Sequence, residues 1–300
     1  MKRTTASLLV MLIFTAGSYG QTSFPFTVHY NKTILPVDVG LSRPLRIILD
    51  SGMGWDGLLI YNPDIRDSID LVNPVGANVG GAGQGSAPSA IFSDSMSFSI
   101  GGVEFNDQRF VVLQTDAFRG FPSDGVTGNS LLGHFAVEIN YDDSTITLHD
   151  PDSFRPEEGF WTAIPLVFNE NNIPCVKVGI SVMDEEPVLL DCYIDYASSE
   201  TLELLTRPEQ KFTLPEEIRE VYLGRGLSGD IYGKKGNVSR VIIGPYESYD
   251  LEAAFVPAEA RSKQTGADAV LAAGLLKQFN LIFDYAKMTL YIRPNKSYKK

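Results

Sequence analysis

Two aspartates follow apolar, β-rich runs in the two halves of the chain. Asp50 ends the run Leu45–Leu49, and Asp195 ends the run 188–194. A single aspartate at the end of a strand is commonly a turn residue, because its carboxylate caps the amides that follow it. Two carboxylates within hydrogen-bond reach of each other cannot both ionise cheaply, so one keeps a proton while the other is charged. Such a pair supplies a general acid and a general base around one water, which is the chemistry that hydrolyses amide bonds.

A long-range repeat predicts that the two aspartates belong to duplicated lobes. The segment beginning at Val126 aligns without gaps with the segment beginning at Val270, an offset of 144 (270 minus 126), and the two aspartates are 145 apart (195 minus 50). We therefore expect a lobe of about 130 residues to occur twice. If the lobes face each other across a pseudo-twofold axis, equivalent loops meet there and bring the carboxylates together. The identical pairs are Val126/Val270, Leu131/Leu275, Leu132/Leu276, Phe135/Phe279, Tyr141/Tyr285 and Thr145/Thr289.

Local patterns predict the elements that hold these loops. Each copy of the repeated segment is typical of a short strand, one or two helical turns with a Leu-Leu-x-x-Phe face, and a hairpin. Each lobe also carries a glycine-rich hairpin, at 79–85 in the first lobe and 224–229 in the second. Alternating segments such as 95–100 and frequent Gly, Asn and Asp turns indicate an all-β protein with short helices. The predicted domains are an N-terminal lobe at 21–153, a proline-containing linker at 154–165, and a C-terminal lobe at 166–300.

These features resemble the pepsin-like and retropepsin-like aspartic proteases over most of the mature chain. The family signature is an apolar strand that ends in Asp-Ser/Thr-Gly, followed later by an apolar-apolar-Gly strand. The first lobe meets it with Ile48-Leu49-Asp50-Ser51-Gly52 and with Val126-Thr127-Gly128. The resemblance implies a two-lobed, all-β, pepsin-like acid protease barrel fold with pseudo-twofold symmetry and a central cleft.

The resemblance also implies roles for individual residues. Asp50 and Asp195 would be the catalytic carboxylates of an aspartic-type endopeptidase that acts on extended peptides or proteins. The first glycine-rich hairpin resembles the flap that closes over substrate, although it lacks the tyrosine that pepsins usually carry there. The implied supporting residues are Ser51, Gly52, Gly128 and Ser198. The implied flap and substrate-binding residues are Gly81, Gly83, Gly85 and Tyr232.

The second lobe departs from the family pattern at three positions. Tyr196 stands where the family has Thr or Ser, and Ala197 and Ala272 stand where it has Gly. A tyrosine hydroxyl lies at the end of a rigid ring and cannot take the place of a serine hydroxyl, and each alanine methyl adds bulk where the loops pack closely. A second hypothesis therefore stays open, in which the chain is a catalytically silent module that holds a peptide or other ligand in the cleft. Asp195 would then only cap its own loop, and Asp191 is a weaker alternative carboxylate.

Composition argues against several other functions. A formal charge of −12 and a pI near 4.7 disfavour nucleic acid as a partner, because such binding depends on Lys and Arg contacts to phosphates. The glycine run at 80–85 has no Lys-Ser/Thr after it, so a phosphate-binding loop is not expected. The three histidines, at positions 29, 134 and 149, lack metal-ligand spacing. We expect no metal and no cofactor, and a monomeric protein.

The amino terminus has the pattern of a cleaved signal peptide. Lys2 and Arg3 precede the apolar run 8–14, and small residues lead to a predicted cut after Gly20. Removing Lys2 and Arg3 changes the formal charge from −12 to −14. The signal-peptide pattern predicts export to the periplasm or the medium. No later segment is apolar and long enough to span a bilayer, so we expect no stable membrane insertion. In that environment Cys175 and Cys192 either form a disulfide or remain free thiols.

Overall fold

The computed structural model describes residues 21–264 and 266–299, so the predicted signal peptide lies outside the described residues. The first half of that chain is built almost wholly from strands. They are β1 (Thr22–Pro25), β2 (Thr27–His29), β3 (Lys32–Val37), β4 (Leu45–Leu49), β5 (Gly57–Ile60), β6 (Val75–Asn78), β7 (Ser89–Ile100), β8 (Val103–Leu113), β9 (Gly125–Thr127), β10 (Ala136–Asn140) and β11 (Thr145–His149). A short helix, α1 (Asn129–Leu132), follows β9.

The second half repeats this series. Its strands are β12 (Thr162–Pro165), β13 (Val167–Phe168), β14 (Pro174–Ser181), β15 (Val188–Asp195), β16 (Leu202–Thr206), β17 (Arg219–Gly226), β18 (Gly229–Ile243), β19 (Tyr246–Pro257), β20 (Ala269–Ala272), β21 (Phe279–Asp284) and β22 (Thr289–Pro294). The helix α2 (Ala273–Leu276) follows β20, as α1 follows β9. Short 3₁₀ segments occur at Arg66–Ser68 and Ala258–Gln264. In the described part of the chain, no helix is long and apolar enough to cross a membrane.

The topology of the two lobes is the same strand for strand. The first-lobe sheet has the order β2-β3-β4-β9-β5-β8-β7-β6, and the second-lobe sheet has the order β13-β14-β15-β20-β16-β19-β18-β17. Within each sheet, the strand that leads to the aspartate pairs in parallel with the strand before the short helix: β4 with β9, and β15 with β20. The duplication inferred from the offset of 144 residues therefore corresponds to a duplicated fold.

A third sheet joins the lobes. Its order, β1-β11-β10-β21-β22-β12, takes three strands from each half and places β10 against β21 at the centre. Ile139 pairs with Leu281 across that central contact, and both side chains are fully buried. The strand β12 lies within the segment 154–165 that the sequence predicts as a linker, where it pairs with β22. The shared sheet thus continues the pseudo-twofold relation between the lobes.

One continuous apolar core stabilises this arrangement. It extends from the first lobe through the shared sheet into the second lobe, and its members include Leu49, Phe110, Ile139, Leu281 and Phe255, each 0–1% exposed. Each fully buried side chain of this size contributes roughly 1.5–3 kcal/mol relative to an exposed one. Since the core is shared, the two lobes hold each other in a fixed relation at the aspartate loops.

The two cysteines are free thiols. They lie on the adjacent strands β14 and β15, as the sequence suggested, but Cys175 pairs in register with Tyr193 and Cys192 pairs with Val176. Successive residues of a strand point to opposite faces of the sheet. A one-residue offset therefore places the two sulfur atoms on opposite faces, and no disulfide forms between them.

Candidate active site

Strand ends bring Asp50 and Asp195 to the same place. Asp50 directly follows β4, and its N–H donates to the Thr127 carbonyl oxygen on β9 at 2.8 Å. Asp195 is the last residue of β15 and pairs in register with Ala272 on β20. The apolar strand residues before each aspartate are buried on both faces, which anchors the strands and leaves the loops to project into the space between the lobes.

The backbone packs so closely around Asp50 that the neighbouring segment requires glycine. The Gly52 N–H donates to Asp50 Oδ1 at 2.7 Å. A Cβ added at Gly128 would lie 2.0 Å from the Asp50 carbonyl oxygen and 2.8 Å from that of Met53. The backbone of β9 and α1 therefore approaches the aspartate loop more closely than any side chain allows. This explains the Asp-Ser-Gly and Val-Thr-Gly motifs of the first lobe in steric terms.

Asp195 has more hydrogen-bond donors around it. Its Oδ1 accepts the N–H groups of Ala197 at 3.0 Å and Ser198 at 2.9 Å. Its Oδ2 accepts a hydrogen bond from Arg261 Nη1 at 3.2 Å. The Ser198 hydroxyl, which the resemblance assigned as a supporting group, donates to Glu203 Oε1 at 2.7 Å. The second loop is thus held by a charged network.

That network is a buried group of three charges. Arg261 Nε donates to Glu203 Oε2 at 2.9 Å, and its Nη2 donates to Glu203 Oε1. The side chains of Arg261 and Glu203 are 8% and 1% exposed. A buried arginine is stabilised when its planar fork meets carboxylates on more than one edge. The pKa of Arg261 is raised by the neighbouring negative charges in spite of its burial, so it is a permanent cation in the site.

The two aspartates interact electrostatically. Burial and, after it, the charge of Asp195 together raise the pKa of Asp50 to about 7, against the opposing effect of the Gly52 N–H. Burial also raises the pKa of Asp195, and the Arg261 charge opposes that shift. Burial lowers the pKa of Lys32, against the pull of the nearby carboxylates. Between mildly acidic and neutral pH, this arrangement favours one proton on the aspartate pair.

A serine joins the two aspartate loops. Ser51 Oγ donates to the Ile194 carbonyl oxygen at 2.8 Å and accepts the Tyr196 N–H at 2.9 Å. The Tyr196 phenol makes no equivalent contact back to the first loop within the described chain; it hydrogen-bonds to Tyr141, whose hydroxyl lies 3.1 Å from Thr33 Oγ1. The hydrogen bonds that join the two aspartate loops are therefore made by the Ser51 side chain and not by that of Tyr196.

The flap region is a roof built by both lobes. The first-lobe loop between β6 and β7 meets the tip of the β17–β18 hairpin from the second lobe. The Gly81 N–H donates to Ser228 Oγ at 3.1 Å, the Gly85 N–H donates to the Ser228 carbonyl oxygen at 2.5 Å, and the Ser228 N–H donates to the Ala82 carbonyl oxygen at 2.9 Å. The Gly83 N–H donates to the Ala260 carbonyl oxygen at 2.9 Å. The three predicted flap glycines thus contact the opposite lobe.

Beneath this roof lies a cavity of about 750 Å³ between the lobes, with both aspartates in its lining. Its walls differ in character. The aromatic part is lined by Trp55, Tyr61, Phe118 and Phe121. The charged part is lined by Lys32, Glu200, Glu203, Arg225 and Arg261.

Tyr232, which the resemblance assigned to substrate binding, does not line the cavity and is 53% exposed. Its cross-strand neighbour, Tyr222, lines the cavity instead. Trp55, which the sequence left open as a subsite or a packed residue, is partly buried and reaches the cavity.

Asp191 and two of the three histidines lie in side-chain pairs away from the aspartates. Asp191 is 48% exposed and accepts a hydrogen bond from Lys177 Nζ at 2.6 Å. His134 contacts Asp56 at 2.8 Å, and His149 contacts Glu138 at 2.9 Å. Among the residues described, His, Cys, Asp and Glu form no group of three or more suited to a metal ion.

Sequence reasoning missed Lys32, Glu203 and Arg261 as site residues. Glu203 did leave a signal, because it is a charged residue within the apolar strand Leu202-Glu203-Leu204-Leu205, and a buried carboxylate requires a partner. Arg261 left none, since it lies in the short 3₁₀ segment Ala258–Gln264 and its partners are 58 and 66 residues away. Lys32 lies early on β3 and enters the site only through the sheet pairing of β3 with β4.

Comparison with known proteins gives a fold match without a sequence match. No protein-family model matches this sequence, and no curated protein matches it. Among solved structures, the crystal structure of an aspartic proteinase from Irpex lacteus is similar, with a TM-score of 0.57 and 10% sequence identity over 92% of this chain and 98% of that chain. The chain therefore has the two-lobed, all-β fold of pepsin-like aspartic proteinases, and the fold class predicted from the sequence is confirmed.

Proposed function

We propose that this protein is an aspartic-type endopeptidase that hydrolyses peptide bonds with a water held between Asp50 and Asp195. The observation that carries the proposal is the meeting of two carboxylates from equivalent strand ends, buried in an interlobe cavity and coupled in their ionisation. Such a pair near neutral pH holds one proton, which is the state needed for acid and base catalysis together.

The reaction follows from that charge state. The ionised carboxylate takes a proton from the water as the water oxygen attacks the carbonyl carbon of the peptide bond. The protonated carboxyl donates its proton to the carbonyl oxygen, which gives a neutral tetrahedral diol. The carboxyl that took the proton from water then donates it to the amide nitrogen, while the other carboxylate takes a proton from one hydroxyl of the diol. The C–N bond breaks, an amine and a carboxylic acid are released, and each carboxyl returns to its starting state.

The cavity supports an extended peptide as substrate. The roof loops offer backbone groups to a peptide in a strand conformation, which is recognised chiefly through its main chain. The aromatic wall beside Asp50 suits a large apolar side chain on one side of the reacting bond. The charged wall beside Asp195 suits a polar side chain on the other side.

Incubation of residues 21–300 with a diverse peptide pool over roughly pH 3–8 tests the proposal, with cleavage measured by mass spectrometry. We expect cleavage, and a loss of about 1,000-fold or more in both Asp50→Asn and Asp195→Asn. Asp191→Asn is the matched control, because it removes an exposed carboxylate four residues away and leaves cleavage unchanged. Folded protein that cleaves no peptide at any pH contradicts the proposal.

A second candidate function is a non-catalytic module that binds a peptide or other ligand in the same cavity. One observation favours it: Asp195 Oδ2, the oxygen not bonded to the loop amides, is occupied by Arg261. Calorimetry with a statine-type peptide separates the two functions. Binding by the wild type and by Asp50→Asn, together with no cleavage by either, would identify a binding module.

We also propose export through a cleaved signal peptide, on the basis of Lys2, Arg3 and the apolar run 8–14. Amino-terminal sequencing of protein recovered outside the cytoplasm tests this, with Gln21 expected as the first residue. A recovered protein that begins at Met1 contradicts it.

A further inference from the structure

We infer that Arg261 is a positioning residue that fixes Asp195 as the ionised member of the aspartate pair and Asp50 as the protonated member. The inference rests on the proposed function for its catalytic meaning. It names which carboxylate acts as base and which as acid, a choice that the duplicated sequence leaves open.

The first argument is the count of donors around each carboxylate. Asp195 accepts the N–H groups of Ala197 and Ser198 on Oδ1 and the guanidinium of Arg261 on Oδ2. Among the described residues, the hydrogen bond found to the Asp50 carboxylate comes from Gly52 alone. Donors stabilise a carboxylate anion and disfavour its protonated form. The proton therefore resides on Asp50.

The second argument is the rigidity of the cation. Arg261 is held by Glu203 through two nitrogens, and Ser198 donates to the same carboxylate. The guanidinium keeps its proton at any pH at which the protein is folded. The preceding residue, Ala260, accepts the Gly83 N–H from the roof, which fixes the backbone of this segment against the opposite lobe. The charge beside Asp195 is thus permanent and fixed in position.

The third argument concerns the other charges around the pair. The titratable groups that interact electrostatically with the two aspartates come from several elements. Besides the aspartates themselves, they are Lys32, Tyr61, Tyr193, Glu203, Arg261 and Tyr285. Lys32, whose ammonium also senses Glu200, donates to Ser199 Oγ and acts on both aspartates. Glu203 opposes Arg261, but its effect on the pKa of Asp195 is the smaller of the two. The charge of Arg261 lowers the pKa of both aspartates, whereas its hydrogen bond goes to Asp195. That direct contact makes Arg261 the group that distinguishes the two carboxylates.

The assignment has a chemical consequence. Asp195 takes the proton from water, and Asp50 donates its proton to the substrate carbonyl oxygen. Contact with Arg261 keeps Asp195 ionised at lower pH, which extends activity toward acid, and it makes Asp195 a weaker base than a free carboxylate of the same burial. The second lobe, which departs from the family motif, is then the lobe that carries the charge.

Opposite charge changes at neighbouring positions test the role of Arg261. Glu203→Gln removes the negative charge that partly offsets Arg261. The positive charge then lowers the pKa of Asp195 more strongly, so the acid limb of the kcat/KM profile moves down by about one pH unit. Arg261→Gln leaves the Glu203 charge unopposed, so the same limb moves up by about one pH unit. Both variants break the same Arg–Glu contact, so a purely structural role would move the two limbs in the same direction or move neither. Either of those results overturns the inference.

Arg261→Lys is the conservative variant. It keeps the positive charge but not the fork, so we expect the acid limb to stay within about half a pH unit of the wild type even if turnover falls. A limb that matches that of Arg261→Gln contradicts the inference. If Arg261→Gln fails to fold because Glu203 is left unpaired, Glu203→Gln still decides, since a limb that rises or stays in place overturns the inference.

A measurement without catalysis separates this inference from the proposed function. Carboxyl ¹³C resonances of labelled aspartate in the wild type are followed with pH, and Asp50→Asn and Asp195→Asn assign them. We expect the carboxyl that keeps its proton to higher pH to be Asp50. The reverse order overturns the inference even if the protein cleaves peptides, whereas the expected order in a protein that cleaves nothing removes only the proposed function.

Discussion

The two lobes share their strand order but hold their aspartates by different means. In the first lobe, glycine at 52 and 128 lets backbone segments approach closely, and one N–H contacts the carboxylate. In the second lobe, alanine stands at the equivalent positions, and two N–H groups and Arg261 hold the carboxylate. The duplicated backbone thus fixes where each aspartate lies, while the residues around it decide which protonation state it favours.

The same contrast applies to the contact between the loops. Ser51 reaches across to Ile194 and Tyr196, but the Tyr196 side chain turns away and hydrogen-bonds to Tyr141 beneath the loops. Tyr196 also packs edge-on against Phe283 from the shared sheet. In a symmetric arrangement, one hydroxyl from each lobe would join the two loops. Here Ser51 alone makes that contact, and the buried ring of Tyr196 packs against the shared sheet.

Exchanging the glycine and alanine of the two lobes gives the largest expected effect. Gly128→Ala places a Cβ 2.0 Å from the Asp50 carbonyl oxygen, so backbone must move. We expect unfolding free energy to fall by about 3 kcal/mol, and the proposed peptidase activity to be lost. Ala272→Gly, at the equivalent place, removes a fully buried methyl and costs about 1 kcal/mol. Urea denaturation measures both, and equal losses would contradict the steric difference between the lobes.

The interlobe hydrogen bonds give the next largest effect. Ser51→Ala leaves the Ile194 carbonyl oxygen and the Tyr196 N–H without their partner in a buried site, which costs about 2 kcal/mol. Tyr196→Phe removes only the hydroxyl contact to Tyr141 and keeps the ring packing, which costs about 1 kcal/mol. The comparison uses chemical denaturation of both variants at one pH. A larger loss for Tyr196→Phe would mean that the aromatic anchor, and not the serine, holds the loops together.

The pH dependence of stability separates the two aspartates. Because the pKa of Asp50 is raised to about 7 in the folded protein, its protonated form is favoured there, and the stability that this provides is lost as pH rises from about 4 through about 7. Asp50→Asn removes that loss, so its gain over the wild type is small near pH 4 and grows to about 4 kcal/mol above pH 7.

Asp195→Asn is the matched variant for this measurement. It leaves the Arg261 guanidinium without one of its carboxylates, so the gain at neutral pH is smaller or is replaced by a loss. Thermal denaturation of the two variants and the wild type at several pH values measures the difference. Identical curves for both variants would contradict the unequal environments of the aspartates.

The smallest expected effect concerns the roof. Gly83 has φ +129°, and a Cβ there would lie 2.5 Å from the Ser228 carbonyl carbon, so Gly83→Ala separates the two hairpins. At Gly76 on β6, nothing lies within 4 Å of an added Cβ, so Gly76→Ala is the matched control. We expect faster hydrogen exchange at the Ser228 amide by about tenfold in Gly83→Ala and little change in Gly76→Ala. Unchanged exchange in both would show that the roof contacts do not protect this amide.

Much of the fold is predictable from the sequence, because its signals are local or repeated. The offset between Val126 and Val270, the apolar runs that end in Asp50 and Asp195, and the glycine-rich hairpins predict two matching β lobes. The hairpin predicted for each copy of the repeated segment also occurs, as β10–β11 and as β21–β22. The role of β12 was harder to predict, because a strand of four residues that ends in a proline gives a weak pattern and its pairing with β22 is set by the lobe symmetry.

The candidate site is predictable only as far as its motifs extend. Asp50 and Asp195 were identified because each ends an apolar strand, and the structure brings them together. Arg261 was not, since it lies 58 residues from Glu203 and no local pattern marks it. The hydrogen bond between Tyr196 and Tyr141 was also not predicted. It depends on the distance from the second aspartate loop to the shared sheet. Long-range charge pairs are a property of the folded backbone and leave little trace in the order of residues.

The roof contacts make the molecule a closed ring. The first lobe, the shared sheet, the second lobe and the hydrogen-bonded hairpins encircle the cavity that holds the aspartates. A linear chain enters such a ring either by threading from one end or after the hairpins part, whereas a circular or tightly folded molecule enters only by the second route. If the protein is the proposed peptidase, the frequency with which Ser228 separates from the glycines opposite it therefore limits how often a substrate without free ends reaches the two carboxylates.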